Sequence, residues 1–366
     1  MARKLKSDKL LFLATLLLLC SSVVMVYSAS AVLAMDRFQQ PYFFLFKQMT
    51  WTILGLCLLA GVMRIDYRLL KQPVVIWTAL GLTTLALIAV FFSTPINGTR
   101  RWFGIGGIGV QPSELAKIAV IIFTAAILER RMDRINELSY TLLPIGIVAG
   151  GISGLILLEP DFGTAFAVIA IVAAMVFAAG LSYRYLIGAG LVLLPVFYFV
   201  LANAEYRRRR LLAFLDPWDD PLGDGFQIIQ SLIAVGTGGV FGRGLMGGVQ
   251  KLFYLPEPHT DFIYAVIAEE TGLIGATMIL CCFAVITWRG LRVTMHAPDR
   301  FGAFLALGLT TMLALQAFIN MSVVLGLMPT TGIPLPFVSA GGSSLLISML
   351  GMGVLLNISQ YASAET

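Results

Sequence analysis

Charge is what this sequence has least of. Of its 366 residues, 12% are Asp, Glu, Lys or Arg, about half the share found in soluble domains. So little polar side chain cannot cover a water-soluble particle, and lipid becomes the expected solvent. Histidine is scarce: His259 and His296 alone cannot build a histidine-rich metal centre. Cys20, Cys57, Cys281 and Cys282 all sit in apolar runs without Cys-x-x-Cys spacing, so they read as small apolar side chains rather than disulfides or ligands. The phosphate-loop pattern GxxxxGK[ST] is absent, as is the inverted internal repeat of many transporters. The net charge of +5 fits loop cations that fix membrane topology. No nucleic-acid partner is expected, and membrane lipids are.

What is abundant is apolar sequence, 58% of residues even without glycine. A hydrocarbon core of about 30 Å takes roughly 20 apolar residues per helix. That criterion predicts about ten spans, near 10–34, 43–63, 74–94, 113–128, 142–158, 163–180, 183–204, 263–288, 302–326 and 342–360. The fold class is therefore all-α and polytopic, a single domain over 1–366 with a long loop at 205–262 between the seventh and eighth helices. Arg3, Lys4, Lys6 and Lys9 precede the first run, which is too long for a signal-peptide core, so an uncleaved first helix is expected.

Charge bias orients the bundle. With the N-terminus in the cytoplasm, the inner side receives Arg64, Arg68, Lys71, Arg130, Arg131, Arg134, Arg184, Arg289, Arg292 and Arg300 besides the N-terminal cations. The short outer loops receive only Arg37, Lys47, Arg100 and Arg101. Both termini are then cytoplasmic. The irregular segments 95–112, 159–163, 205–262 and 327–344 fall on the outer face, where broken backbone can line a cavity.

Five outer segments carry candidate chemistry. In segment 97–117, Pro112 suits a first helical turn, and Glu114 and Lys117 share a helix face as an ion pair or as functional intramembrane charges. Arg100 and Arg101 suit headgroup anchoring or, through arginine's planar fork, a pyrophosphate. In EPDFGT, Asp161 or Thr164 can cap the following helix. The loop from 205 carries four successive arginines at 207–210, read as an interfacial polybasic stripe, and 226–241 reads as a re-entrant or interfacial helix. In LPEPHTDFIYAVIAEETG, a helix cap explains Thr260 or Asp261, but not His259, Thr260, Asp261 and Glu257 together. Glu269 and Glu270 are expected to bond polar groups on a neighbouring helix. In LMPTTGIPLPFVSAGGSSLL, three prolines and the hydroxyls of Ser339, Ser343 and Ser344 suggest a re-entrant loop.

Taken together, NGTRRWFGIGGIGVQPSELAK, EPDFGT, FLDPWDDPLGDGFQIIQS, VQKLFYLPEPHTDFIYAVIAEE and MPTTGIPLPFVSAGGSS resemble the SEDS family (shape, elongation, division and sporulation) over nearly the whole chain. The VQKLFYLPEPHTDF and PTTGIPLPFVSAGGSS segments look more like FtsW or SpoVE than RodA. Ala340 departs from the family, where an aromatic is common. The resemblance implies a peptidoglycan glycosyltransferase of the inner membrane that polymerises lipid II onto a lipid-linked glycan strand. It implies a catalytic acid at Asp261, and Arg101, Glu114, Lys117, Asp161, His259 and Ser339 around substrate. It also implies a class B penicillin-binding protein, a transpeptidase, as partner. No cluster has the ligand count of a dedicated metal site; a magnesium or manganese ion bridging the pyrophosphate is compatible with the sequence. A lipid II flippase and a non-catalytic scaffold for the transpeptidase are the alternatives.

Overall fold

The computed structural model describes residues 7–95, 99–105, 108–202 and 205–362. Arg3, Lys4, Lys6 and Asn97 lie outside the described residues, as do positions 203–204 at the end of the seventh expected span. Twelve α-helices are described: α1 (Lys9–Phe38), α2 (Phe43–Val62), α3 (Pro73–Val90), α4 (Pro112–Arg131), α5 (Leu143–Leu158), α6 (Phe162–Ala178), α7 (Tyr183–Ala202), α8 (Glu205–Leu215), α9 (Phe226–Gly238), α10 (Ile263–His296), α11 (Arg300–Val324) and α12 (Gly342–Ser359).

Each of the ten expected segments is helical, and seven helices are long and apolar enough to cross a membrane: α1, α2, α3, the run Leu138–Leu158 that contains α5, α10, α11 and α12. Of the remaining three, α4 carries Glu114, Lys117, Glu129, Arg130 and Arg131, α6 has 17 residues, and α7 contains Pro195. The all-helical expectation gains one exception. Between α3 and α4, Phe103–Ile105 (β1) and Ile108–Val110 (β2) form an antiparallel hairpin with Phe103 opposite Val110. The long loop is mostly helical too, because α8 and α9 occupy it.

Alternating helices place two polar ends on the bundle. At the end where α1 starts, Asp8 caps α1 through the Leu10 and Leu11 N–H groups and pairs with Arg289 of α10 at 2.5 Å. Tyr67, 2% exposed, donates its hydroxyl to Asp299 at 2.5 Å, and Arg68 reaches the same carboxylate at 3.0 Å. Burial and the acceptor Asp299 push the Tyr67 phenol well above its ordinary value. Asn357 of α12 joins this knot, accepting from Tyr67 N–H and donating to the Met63 carbonyl. At this end of the bundle these bonds tie α11 and α12 to the α2–α3 turn and α10 to the start of α1. The most enclosed helices, α4, α11 and α12, form the centre, and their apolar side chains make a continuous core with α1 and α10.

The other end is built from broken backbone. Helix α10 departs from helical geometry at Gly272, whose φ of 67° and ψ of −165° suit glycine. A break inside an apolar helix strands backbone groups that lipid cannot satisfy. The glycine-rich segment after α9 supplies the missing partners. Leu273 and Ile274 N–H donate to the Gly239 and Val240 carbonyls, while Arg243 and Gly244 N–H donate to the Glu269 and Glu270 carbonyls. Gly242, at φ 78°, comes so close that a Cβ there would overlap the Glu270 carbonyl.

The same segment takes up both glutamates. Glu269 accepts from Val249 N–H at 2.8 Å and Gln250 N–H at 3.2 Å. Glu270 bonds Ser28 of α1 at 2.7 Å, as expected for a neighbouring helix, and also Lys251 at 2.6 Å. Lys251 and Glu270 are almost wholly buried, so each is compensated by the other.

Candidate active site

Asp261 stands one residue ahead of the cap of α10, whose N-cap is Phe262 with no side-chain capping bond. The capping explanation therefore does not apply to Asp261. Thr260 bonds Glu257 instead, through its carbonyl and carboxylate. Among the described residues no donor binds the Asp261 carboxylate. Protein crowds this side chain on nearly every side while part of it stays open. Burial is the main reason its acidity weakens, from 3.8 to about 6, with Glu257 and Asp161 adding repulsion and Arg210 and Arg101 opposing it.

The irregular segment between α11 and α12 holds Asp261 in place. Asn320 of α11, buried at 2% exposure, donates its amide to the Asp261 and Ile333 carbonyls, each at 2.8 Å. Ser339 donates to the Thr260 carbonyl at 2.6 Å and accepts from Leu335 N–H at 2.8 Å. Ala340 N–H holds the His259 carbonyl at 2.9 Å. Gly332, at φ 73°, faces the carboxylate, and a Cβ there would lie 3.6 Å from Asp261 Oδ2. Glu257 (φ 48°) and Phe337 (φ 64°) are left-handed without being glycine, a conformation that surrounding contacts must impose.

On a second side lies the α5–α6 turn. Asp161 caps α6 through Thr164 N–H at 3.1 Å, accepts the Thr164 hydroxyl at 2.9 Å, and accepts the Gln111 amide at 3.0 Å. Both candidate caps are thus engaged in one cap. Arg101 donates to the Glu159 carbonyl at 2.8 Å and to the Pro160 carbonyl, tying the hairpin to this turn. Arg100 binds the Phe91 carbonyl at 2.8 Å. Glu159, 1% exposed, has no partner for either carboxyl oxygen among the described residues, and burial followed by Asp161 repulsion pushes its pKa up to about 8.

Glu114 and Lys117 meet at 2.7 Å, with side chains 3% and 1% exposed, at the start of α4 where Pro112 occupies the first turn. His259 is buried against Phe44 of α2, ring centroids 4.7 Å apart, and its Nδ1 has no partner. Burial first, then Arg37 and Lys47 against Glu257, lowers its basicity.

All seven expected residues therefore lie at one end of the bundle. Asp161 and Arg101 act on Asp261 electrostatically, Ser339 and His259 belong to the segment that carries it, and the Glu114–Lys117 pair is a separate buried unit. Two further residues escape the sequence motifs. Arg210 of α8 donates to the Thr330 carbonyl at 3.1 Å and is the strongest positive influence on Asp261, yet in sequence it is one of four adjacent arginines. Asn320 is one of two buried amides in an apolar helix, with Gln316, and no motif singles it out. Replacing Asn320 by Leu strands two buried carbonyls at about 1–3 kcal/mol each. Turnover is expected to fall about tenfold or more through misplacement of Asp261, with complex formation intact. Unchanged turnover would show that Asp261 is held by other means.

The chain has relatives of known family and fold. Residues 8–364 match the family described as cell cycle protein, FtsW/RodA/SpoVE. The probable peptidoglycan glycosyltransferase FtsW of Geobacter sulfurreducens is 45% identical over 356 residues, covering 96% of this chain and 95% of that protein. Stage V sporulation protein E of Bacillus subtilis is 42% identical over 371 residues, covering 98% and 99%. Among solved structures, a peptidoglycan synthase complex coordinating polymerization and crosslinking contains a chain that matches with TM-score 0.80 and 32% identity, over 96% of this chain and 97% of that one. Thermus thermophilus RodA matches with TM-score 0.71 and 27% identity, over 96% of each chain. With a family match that spans almost every residue and a shared fold, this chain is a member of the FtsW/RodA/SpoVE family of multi-pass membrane proteins.

Proposed function

We propose that this protein is a peptidoglycan glycosyltransferase that polymerises lipid II on the outer face of the cytoplasmic membrane, both termini being cytoplasmic. The observation that carries the reading is the Asp261 carboxylate: free of hydrogen-bond donors, partly open, and raised to about 6. A base must be unprotonated yet basic enough to take a proton, and that value meets both needs near neutral pH.

In the reaction, the 4-hydroxyl of one sugar attacks the anomeric carbon of a lipid-linked donor. The new C–O bond forms as the bond to undecaprenyl pyrophosphate breaks, and the α-linked donor becomes a β-linkage by inversion. Asp261 takes the hydroxyl proton. The leaving group departs as an anion, so it needs positive charge more than a proton. Arg101 and Arg210, the two cations that act on Asp261, supply it. Asp161 and Ser339 fix the turns that shape the site. Glu114 and Lys117 seat the first turn of α4 beside substrate. Among the described residues no group of three or more His, Cys, Asp or Glu gathers around a metal position. A magnesium or manganese ion, if bound with the pyrophosphate, would supply further positive charge for the leaving group.

The flippase alternative rests on Glu269, Glu270 and Lys117. Each has a local partner, which argues for structural service rather than a polar pathway. A transpeptidase partner follows the solved synthase complex with which the fold is shared. Purified protein with a class B penicillin-binding protein, given labelled lipid II, is expected to produce glycan strands. Transport of lipid II across liposomes without polymer would favour the flippase, and neither product would favour the scaffold.

A further inference from the structure

Transfer between two lipid-linked sugars brings two pyrophosphates to one enzyme. The donor's leaves from the reacting carbon, whereas the acceptor's stays attached on the far side of its sugars from the attacking hydroxyl. The two polyanions repel, and one set of cations cannot serve both. The charges around the 257–262 segment divide accordingly. Asp261 faces Arg210 and Arg101, with the acids Glu257 and Asp161. His259, two residues earlier, faces a different pair of cations, Arg37 at the end of α1 and Lys47 in α2, with Glu257 as the shared acid.

We propose that Arg37, Lys47 and His259 form a second anion subsite, which holds the pyrophosphate of the lipid-linked acceptor. This rests on the polymerase reading above and deepens it. Arg37 and Lys47 are exposed, and neither makes a hydrogen bond or ion pair among the described residues. Arg68, Lys71, Lys117, Lys251 and Arg289, in contrast, are all paired. His259 is 6% exposed and its Nδ1 lacks a partner among the described residues, an orphan that a ligand oxygen would satisfy. Around the turn between α1 and α2, Phe38 stacks on Phe43 at 4.2 Å, and Phe44 of α2 lies tilted against the His259 ring at 4.7 Å. Asp36, the acid nearest in sequence, lines a separate recess with Met35, Gln39 and Phe253.

The test uses the full chain in nanodiscs with its transpeptidase. Arg37→Ala with Lys47→Ala is expected to raise KM for lipid II roughly tenfold or more, the worth of one or two charge-assisted contacts. It should leave kcat within about twofold. Arg37→Lys with Lys47→Arg should restore KM. Binding supplies an independent readout: undecaprenyl pyrophosphate titrated into the Asp261→Asn protein should occupy two sites, and one after the double alanine change. Unchanged KM, or two sites retained, would overturn the subsite. So would a KM effect present in phosphatidylglycerol discs and absent in phosphatidylcholine discs, which would mark the pair as headgroup anchors. If the wild type makes no polymer, the polymerase reading fails, and the binding stoichiometry still decides the subsite.

Discussion

Asp261→Asn is expected to lower strand synthesis by about 10²–10⁴-fold, the usual worth of a positioned general base, while the protein folds and binds its partner as before. Asparagine keeps the shape and removes only the ability to accept a proton. The pH dependence makes the assignment sharper. Asp261 is raised from 3.8 to about 6, and only its ionised form can act as base. The wild-type rate should be low below that value, rise through pH about 6, and level off above it. Glu257→Gln removes a negative neighbour, so it should ease Asp261 ionisation and move the rising limb to lower pH. A limb that survives Asp261→Asn unchanged would assign the titration to another group and remove the base from this position.

The Glu114–Lys117 pair carries the next largest expectation. Its two side chains are 3% and 1% exposed and 2.7 Å apart. Lys117→Met alone leaves a buried carboxylate uncompensated, at a cost of about 3–5 kcal/mol, seen as a lower thermal midpoint in detergent and reduced yield. Glu114→Leu together with Lys117→Met removes both charges and should recover most of that stability, because the desolvation of two ions is no longer required. Polymerisation should stay low in the stable double variant if the pair also positions substrate. Full activity there would make the pair purely structural. Normal stability in the single variant would mean that water reaches the site.

Much of this is legible in the chain. Apolar run length finds every long helix, since in lipid each span must satisfy its own backbone. The 226–241 segment, too polar at its ends to span, is helix α9. Glu269 and Glu270 read as partners of polar groups on a neighbouring helix; Ser28 of α1 is one for Glu270, whereas Glu269 accepts from the Val249 and Gln250 N–H groups of the loop. Lys251 gives no such signal, because it reaches Glu270 from a glycine-rich stretch whose path no periodicity reveals. The hairpin at 103–110 escapes for a related reason: three-residue strands around glycines are too short to show alternation. Arg210 is submerged among its neighbours, and only the fold of α8 separates it from them.

The break at Gly272 has a mechanical consequence. A helix of 34 residues would, if continuous, act as a stiff lever, carrying any tilt of its far end, near Arg289 and Asp8, to Asp261. The break divides it into a long arm and a short stub, and residues 239–244 bind both sides of it: the Gly239 and Val240 carbonyls take the arm's first N–H groups, and the Arg243 and Gly244 N–H groups take the stub's last carbonyls. Changes in bilayer thickness tilt long helices. Here the lever is interrupted, and the stub that carries Asp261 has anchors of its own, the loop N–H groups that Glu269 and Glu270 accept.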